Sequence, residues 1–212
     1  MSLFDLTDEV AVVIGATGAL GGACAVAMAE AGAKIAVVGR SAERGEARVQ
    51  EITEAGGTAQ FFTCDAMSPD SLKTCHEAVT ETLGAPSVLL NAAGGNDPDA
   101  TVTPEMPFEN IPLPAWAKVF DLNLVGGLLL PCQEFGPAMC ERGKGSIINI
   151  ASVLAVMAQT GQATYCASKA AVAHLTNVMS LDLMRHNIRV NAIAPGWFLT
   201  EMNEDFFATM NQ

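Results

Sequence analysis

Val10-Ala11-Val12-Val13-Ile14-Gly15-Ala16-Thr17-Gly18-Ala19-Leu20-Gly21-Gly22 is the stretch that sets the fold. Val10–Ile14 is a short, mostly β-branched run with no polar position, which is how a strand reads when both of its faces are buried. Glycines then interrupt the run, and Ala19–Ala31 is rich in strong helix formers. A strand entering a helix through a glycine turn is the first half of a βαβ unit, and the same rhythm continues outward. Strand-like runs recur at Lys34–Val38, Ala59–Thr63, Ser87–Leu90, Ser146–Ile150 and Ile188–Ala192. Helical patterns separate them at Ala42–Ala55, from Pro69 (with Ser68 as cap) to Leu83, at Pro114–Glu141 and at Thr160–Arg185. Together they predict one α/β domain over residues 1–212. It is a Rossmann-like, doubly wound parallel sheet of strand order 3-2-1-4-5-6, with helices on both faces and ligands at the carboxyl ends of strands 1 and 4.

Composition agrees with a single packed domain. Half of the 212 residues are hydrophobic and 16% are charged, too apolar for disorder. A net charge of −12 argues against a nucleic-acid surface, which needs a basic stripe. The apolar runs, such as Leu128–Leu130 between Gly127 and Pro131, fall short of the ~18 residues expected of a membrane span. Met1-Ser2-Leu3-Phe4-Asp5 lacks the basic stretch and apolar core of a signal peptide. Cysteines 24, 64, 75, 132, 140 and 166 form no CxxC pair and read as reduced core thiols of a cytoplasmic protein. His76, His174 and His186 are scattered, so no metal site is expected and each reads as a helix-surface residue. Gly94–Pro114, with five prolines and no periodicity, reads as a functional loop rather than decoration.

The glycine loop precedes a helix whose first N–H groups and positive dipole end suit a phosphate. Within a βαβ unit this points to a dinucleotide. The end of strand 2 then selects which one, since a carboxylate there accepts from a ribose hydroxyl and an arginine pairs with a 2′-phosphate. The chain has Gly39-Arg40-Ser41 and no carboxylate, which favours NADP(H), with NAD(H) the alternative. Further on, Tyr165 and Lys169 lie four apart on one helix face, and Ser152 follows strand 5. A phenol with a free pKa of ~10 is a poor acid–base at neutral pH, and a neighbouring ammonium is expected to lower it.

These pieces carry a resemblance. Gly15-Ala16-Thr17-Gly18-Ala19-Leu20-Gly21, Cys64-Asp65, Asn91-Ala92-Ala93-Gly94, Asn123, Ser152, Tyr165 with Lys169, and Pro195-Gly196 with Thr200 resemble the short-chain dehydrogenase/reductase family over essentially the whole chain. The resemblance implies Tyr165 as general acid/base, Ser152 as substrate orienter, Lys169 as tuner of the tyrosine and holder of the nicotinamide ribose, and Asn123 as anchor of a proton-refilling water relay. It implies cofactor contacts from Gly15, Thr17, Gly18, Leu20, Gly21, Arg40, Ser41, Asp65 (adenine), Asn91 (adenosine ribose), Ala92, Gly94, Tyr165, Lys169, Pro195, Gly196 and Thr200. The chain departs from the family's glycine pattern at Ile14 and Ala19. Family members also continue beyond Gln212 with a helix and a strand.

Asn91-Ala92-Ala93-Gly94-Gly95-Asn96 and the loop behind it are similar to the fructuronate reductase (D-mannonate oxidoreductase) type, so a sugar acid is the expected substrate, met by Asn96 and Trp197. The alternatives are a 3-oxoacyl-[acyl-carrier-protein] reductase and a nucleotide-binding scaffold without chemistry. Arg142-Gly143-Lys144 and Arg185 with Arg189 are the basic clusters available to an acidic carrier, unless they are simply solvated helix ends. Apolar residues on more than one face of the helices at 114–141 and 160–185 point to a homodimer or homotetramer.

Overall fold

The computed structural model describes residues 4–198. Six strands, β1 (Val10–Ile14), β2 (Lys34–Gly39), β3 (Thr58–Thr63), β4 (Val88–Asn91), β5 (Gly145–Ile150) and β6 (Ile188–Ile193), form one sheet. Its order is β3-β2-β1-β4-β5-β6, with every neighbouring pair parallel, as the alternation predicted. Side chains of β1 alternate between two cores. Val10, Val12 and Ile14 pack with Leu72, Phe135, Met139 and Val172 from the helices of one face. Ala11 and Val13 pack with Ala25, Ala29 and Ile52 from α1 (Ala19–Glu30) and α2 (Ala42–Glu54) on the other. Strands β1 and β4 are buried throughout, while the edge strands β3 and β6 open to solvent, with Arg189 and Asn191 exposed.

Local chemistry explains the helix starts. Ser41 caps α2 by accepting from the Arg44 backbone N–H, and Ser68 caps α3 (Pro69–Thr82) by accepting from that of Ser71. The second half of the domain differs from the sequence reading. The helix expected at 114–141 is α4 (Leu113–Phe120), a π-helical segment (Asp121–Leu129) and α5 (Leu130–Arg142) run together. Pro131 has no N–H for the carbonyl four residues back, and its ring crowds that carbonyl, so regular winding fails just before it. This run is long and apolar enough to cross a membrane by length and composition, contrary to the expectation from unbroken apolar runs. Here it covers the sheet, with Leu128, Phe135 and Met139 fully buried.

The final helix, α6, begins at Ala163 rather than Thr160 and ends at Leu183, followed by a single tight turn through His186. Residues 94–114 are folded against it. Val102 N–H donates to the Gly161 carbonyl at 3.0 Å, and Asp97 pairs with Lys118 of α4 at 2.5 Å. His76 is not a surface residue. It is half-buried between α3 and α5, 2.8 Å from Glu134 and with its ring tilted 46° against that of Phe135 at 4.6 Å. Arg142 and Lys144 are exposed at the end of α5, and each also has a partner. Arg142 donates to the Pro86 carbonyl and Lys144 pairs with Glu9 at 2.6 Å, stapling the amino edge of the sheet.

Candidate active site

At the carboxyl edge, two adjoining cavities share Ala92 and Gly94. The first, of about 430 Å³, is lined by Ser152, Tyr165, Lys169, Asn96, Gln162, Leu20 and the Pro195–Phe198 segment, among others. The second, of about 210 Å³, is lined by Gly15, Thr17, Gly18, Arg40 and Asp65, with Cys64, Ala66, Met67, Leu122 and Gly126. Strand order is what joins them: β1 and β4 are neighbours at the point where the winding reverses, so the turns after them face each other across one crevice.

The glycine loop fits an anion. Gly15 holds φ +86°, and a Cβ there would lie 2.7 Å from the Ala93 backbone nitrogen, so the turn requires glycine. Whereas α2 and α3 carry serine caps, α1 starts at Gly18 with no side-chain cap and no acidic residue in its first turn. Its first N–H groups are thus left for a ligand, as the chemistry of a diphosphate requires.

Tyr165 and Lys169 stand one turn apart on α6, with the Lys169 ammonium 5.9 Å from the centre of the phenol ring. The Ser152 hydroxyl lines the same cavity as the phenol and accepts from the Leu154 backbone N–H at 3.1 Å. The three groups expected to act together therefore do meet. Their electrostatics differ from expectation. Burial pushes the Tyr165 phenol up, and the Ser152 side chain only partly offsets it. Lys169 does not pull it down, because its ammonium donates to the Ile150 carbonyl at 2.9 Å and is itself lowered by burial to about 8.

Other expected residues fall into place or are redirected. Asn123 is buried in the π-helical segment, where its amide nitrogen donates to the Gly95 carbonyl at 2.8 Å and to Ser168 Oγ at 3.0 Å. Its oxygen accepts from Gly95 N–H at 2.9 Å, so the side chain clamps the loop after β4 to α6. Asn91 turns into the sheet. Its Nδ2 donates to Asn149 Oδ1 at 2.9 Å, and Asn149 donates on to Thr176 at 3.0 Å, so its side chain is withdrawn from the nucleotide cavity. The Ser41 hydroxyl is engaged as a cap, and Arg40 is exposed at the rim. Asp65 is exposed and accepts from the Met67 N–H at 3.0 Å. Pro195 is held where its carbonyl accepts from Val153 N–H at 2.8 Å, which brings Gly196 and Trp197 to the cleft; Thr200 lies outside the described residues. Sequence reasoning missed Met67, Leu122, Thr101 and Gln162 as lining residues. Gln162 was within reach of it, one turn before Tyr165 on a helix face already singled out.

The profile of short chain dehydrogenases matches residues 9–211. The chain belongs to the short chain dehydrogenase family. An uncharacterized oxidoreductase, UxuB, of Bacillus subtilis is 36% identical over 209 residues, 95% of this chain and 75% of its own. A 3-oxoacyl-[acyl-carrier-protein] reductase of Synechocystis sp. is 33% identical over 204 residues, covering 96% of this chain and 79% of its own. Among solved structures, a proposed D-mannonate oxidoreductase from Haemophilus influenza with bound NAD superposes with TM-score 0.88 at 29% identity, over 95% of this chain and 75% of that one. A gluconate 5-dehydrogenase from Burkholderia cenocepacia in complex with NADP and tartrate does so with TM-score 0.87 at 29% identity, over 96% and 77%. Among the described residues no three His, Cys, Asp or Glu side chains gather as metal ligands, and the short chain dehydrogenase cleft is built from hydroxyl, phenol, amide and ammonium groups.

Proposed function

We propose that the protein interconverts a carbonyl and a secondary alcohol, using NADP(H), on a small sugar acid of the fructuronate/mannonate kind. The observation that carries this reading is the meeting of Ser152, Tyr165 and Lys169 on one wall of a cleft that opens into the glycine-loop cavity. A nicotinamide bound there supplies or takes the hydride. Tyr165 gives its proton to the carbonyl oxygen, and Ser152 holds that oxygen beside the phenol. A phenol raised by burial stays protonated at neutral pH, which suits it to the reducing direction. Lys169 keeps a positive charge below about pH 8, behind the tyrosine, and Asn123 acts as a positioning residue that sets Gly95 and α6. Gly15, Thr17, Gly18, Leu20 and Gly21 would hold the diphosphate at the uncapped start of α1, and Asp65 would accept from the adenine. Asn91 supports these contacts from below, as its side chain is spent on Asn149. Arg40 at the rim of the nucleotide cavity favours a 2′-phosphate.

The acyl-carrier reading finds less support. The basic residues Arg142 and Lys144 sit at the amino edge of the sheet, remote from the cleft, and are engaged with Pro86 and Glu9. The proposal includes assembly as a homodimer or homotetramer through α4, α5 and α6. Oxidation of NADPH and NADH with fructuronate, 5-ketogluconate and acetoacetyl thioesters tests the reading. Sugar-acid turnover with NADPH ahead of NADH is expected, with Arg40→Ala erasing most of that cofactor preference. Turnover confined to the thioester overturns it.

A further inference from the structure

Ser168 stands between Tyr165 and Lys169 on α6, is fully buried and lines neither cavity. Its hydroxyl donates to the Tyr165 carbonyl at 2.8 Å, one turn back in the helix, so toward any other group it can only accept. It accepts from the Asn123 amide nitrogen of the π-helical segment, at 3.0 Å. That nitrogen's other hydrogen goes to the Gly95 carbonyl, and the Asn123 oxygen takes the Gly95 N–H. The direction of every bond in this chain is therefore set from its Tyr165 end: nitrogen of Asn123 toward Ser168, oxygen toward the loop after β4.

The parts meet without slack. A Cβ on Gly94 would lie 2.7 Å from Asn123 Oδ1 and 3.2 Å from Lys169 Nζ, so the loop after β4, the π-helical segment and α6 converge with no room for one methyl group. Gly94 is also where the two cavities join. Buried hydrogen bonds of this kind hold their geometry because no solvent competes for them, and loss of one partner leaves the other unpaired.

We infer that Ser168 is a positioning residue for carbonyl reduction: by accepting from Asn123 while donating to the Tyr165 carbonyl, it fixes the turn of α6 that carries Tyr165 and Lys169 against the loop after β4. The inference rests on the cleft being a carbonyl-reducing site and adds a residue outside the cleft that sets its geometry. A misplacement of about 1 Å at reacting groups costs up to about 10²-fold in rate, so the loss of this one oxygen is read in kcat although Ser168 touches neither substrate nor cofactor.

The test compares wild type, Ser168→Ala, Ser168→Cys, Asn123→Ala and the double variant Asn123→Ala/Ser168→Ala. It measures kcat and KM with NADPH and NADH, for fructuronate, 5-ketogluconate and acetoacetyl thioesters, at temperatures where thermal melts show each protein folded. Ser168→Ala is expected to lower kcat about 10–100-fold while the KM for the cofactor stays within about twofold. Ser168→Cys, whose thiol is a weaker donor and acceptor, should fall between it and wild type. The double variant should be no slower than Asn123→Ala alone, because the Ser168 oxygen acts through that amide. A kcat in folded Ser168→Ala within about twofold of wild type, whatever its melting temperature, overturns the inference and makes the bond a support of the fold alone. So does a double variant whose loss is the product of the two single losses. Should Ser168→Ala not fold, Ser168→Cys decides on the same terms: a lower kcat at unchanged cofactor KM supports the inference, and an unchanged kcat overturns it. Failure of wild type to reduce any of these carbonyl compounds with either cofactor would instead sink the reading of the cleft, and the inference with it.

Discussion

Removing one hydroxyl from Tyr165 as Tyr165→Phe leaves the half-buried ring and its packing in place, so the loss reports on proton transfer. A fall in kcat of about 10²–10⁴-fold is expected. NADPH affinity, followed by fluorescence titration, should stay within a few-fold, because the diphosphate cradle is on another element. Lys169 is a charge held in a dry place, with its pKa lowered to about 8. An unfolded lysine titrates near ~10.4, so between those two values the unfolded chain binds a proton that the folded chain has released. Stability therefore rises with pH across that window and carries the full cost of the buried charge below it, up to about 3 kcal/mol. Urea unfolding from pH 7 to 10 should show that rise in wild type and not in Lys169→Met. The methionine variant should be the more stable at pH 7 while inactive. At this scale the sequence was informative about chemistry, because Ser152, Tyr165 and Lys169 are types with few other reasons to occur in that order. It was silent on direction. Whether an amide faces a cavity or a neighbouring strand depends on partners tens of residues away, and so Asn91 was assigned to the nucleotide while its side chain donates to Asn149 and Cys132.

Between residue and molecule lie the elements, and the π-helical segment Asp121–Leu129 is the one the sequence concealed. Apolar spacing does not separate a π turn from an α turn over nine residues, and Gly126-Gly127 before Pro131 was the available signal. The segment fits tightly over the cleft: a Cβ on Gly127 would lie 2.7 Å from the carbonyl oxygens of both Ala93 and Leu122. Gly127→Ala is expected to cost about 1–3 kcal/mol, seen as a lower melting temperature. Because Asn123 lies in the same segment, the variant should also lower kcat. The loop at 94–114 reads as functional from composition alone. Its particular fold, with Asp97 pinned to Lys118 and Val102 to Gly161, needed α4 and α6 to be present. Strands and helices on the amino-terminal side kept their predicted places within a residue or two, since Ser41, Ser68 and Pro69 mark their own boundaries.

For the whole molecule, two cores on opposite sides of a parallel sheet account for the burial of β1, β2 and β4, and the crossover between β1 and β4 makes the cleft. Outside that packing, Leu113, Val178, Leu181 and Met184 remain exposed on α4, on α6 and at its end, with Leu181 at 69%. The proposed assembly covers them. Light scattering should give a dimer or tetramer mass for wild type and a smaller species for Leu181→Lys, with the monomer fold retained by circular dichroism.

The sequence by itself determined the layer architecture, the strand order, the glycine turn before α1 and the hydroxyl, phenol and ammonium groups that line the cleft. Those follow from local periodicity, from turn residues and from handedness rules that act over a few dozen residues. Tertiary structure alone decided the charge state favoured at Tyr165 and Lys169, the inward turn of Asn91 and the clamp made by Asn123. Each of those depends on burial and on hydrogen-bond partners distant in the chain, and no spacing along a sequence encodes which of several polar neighbours a side chain will meet.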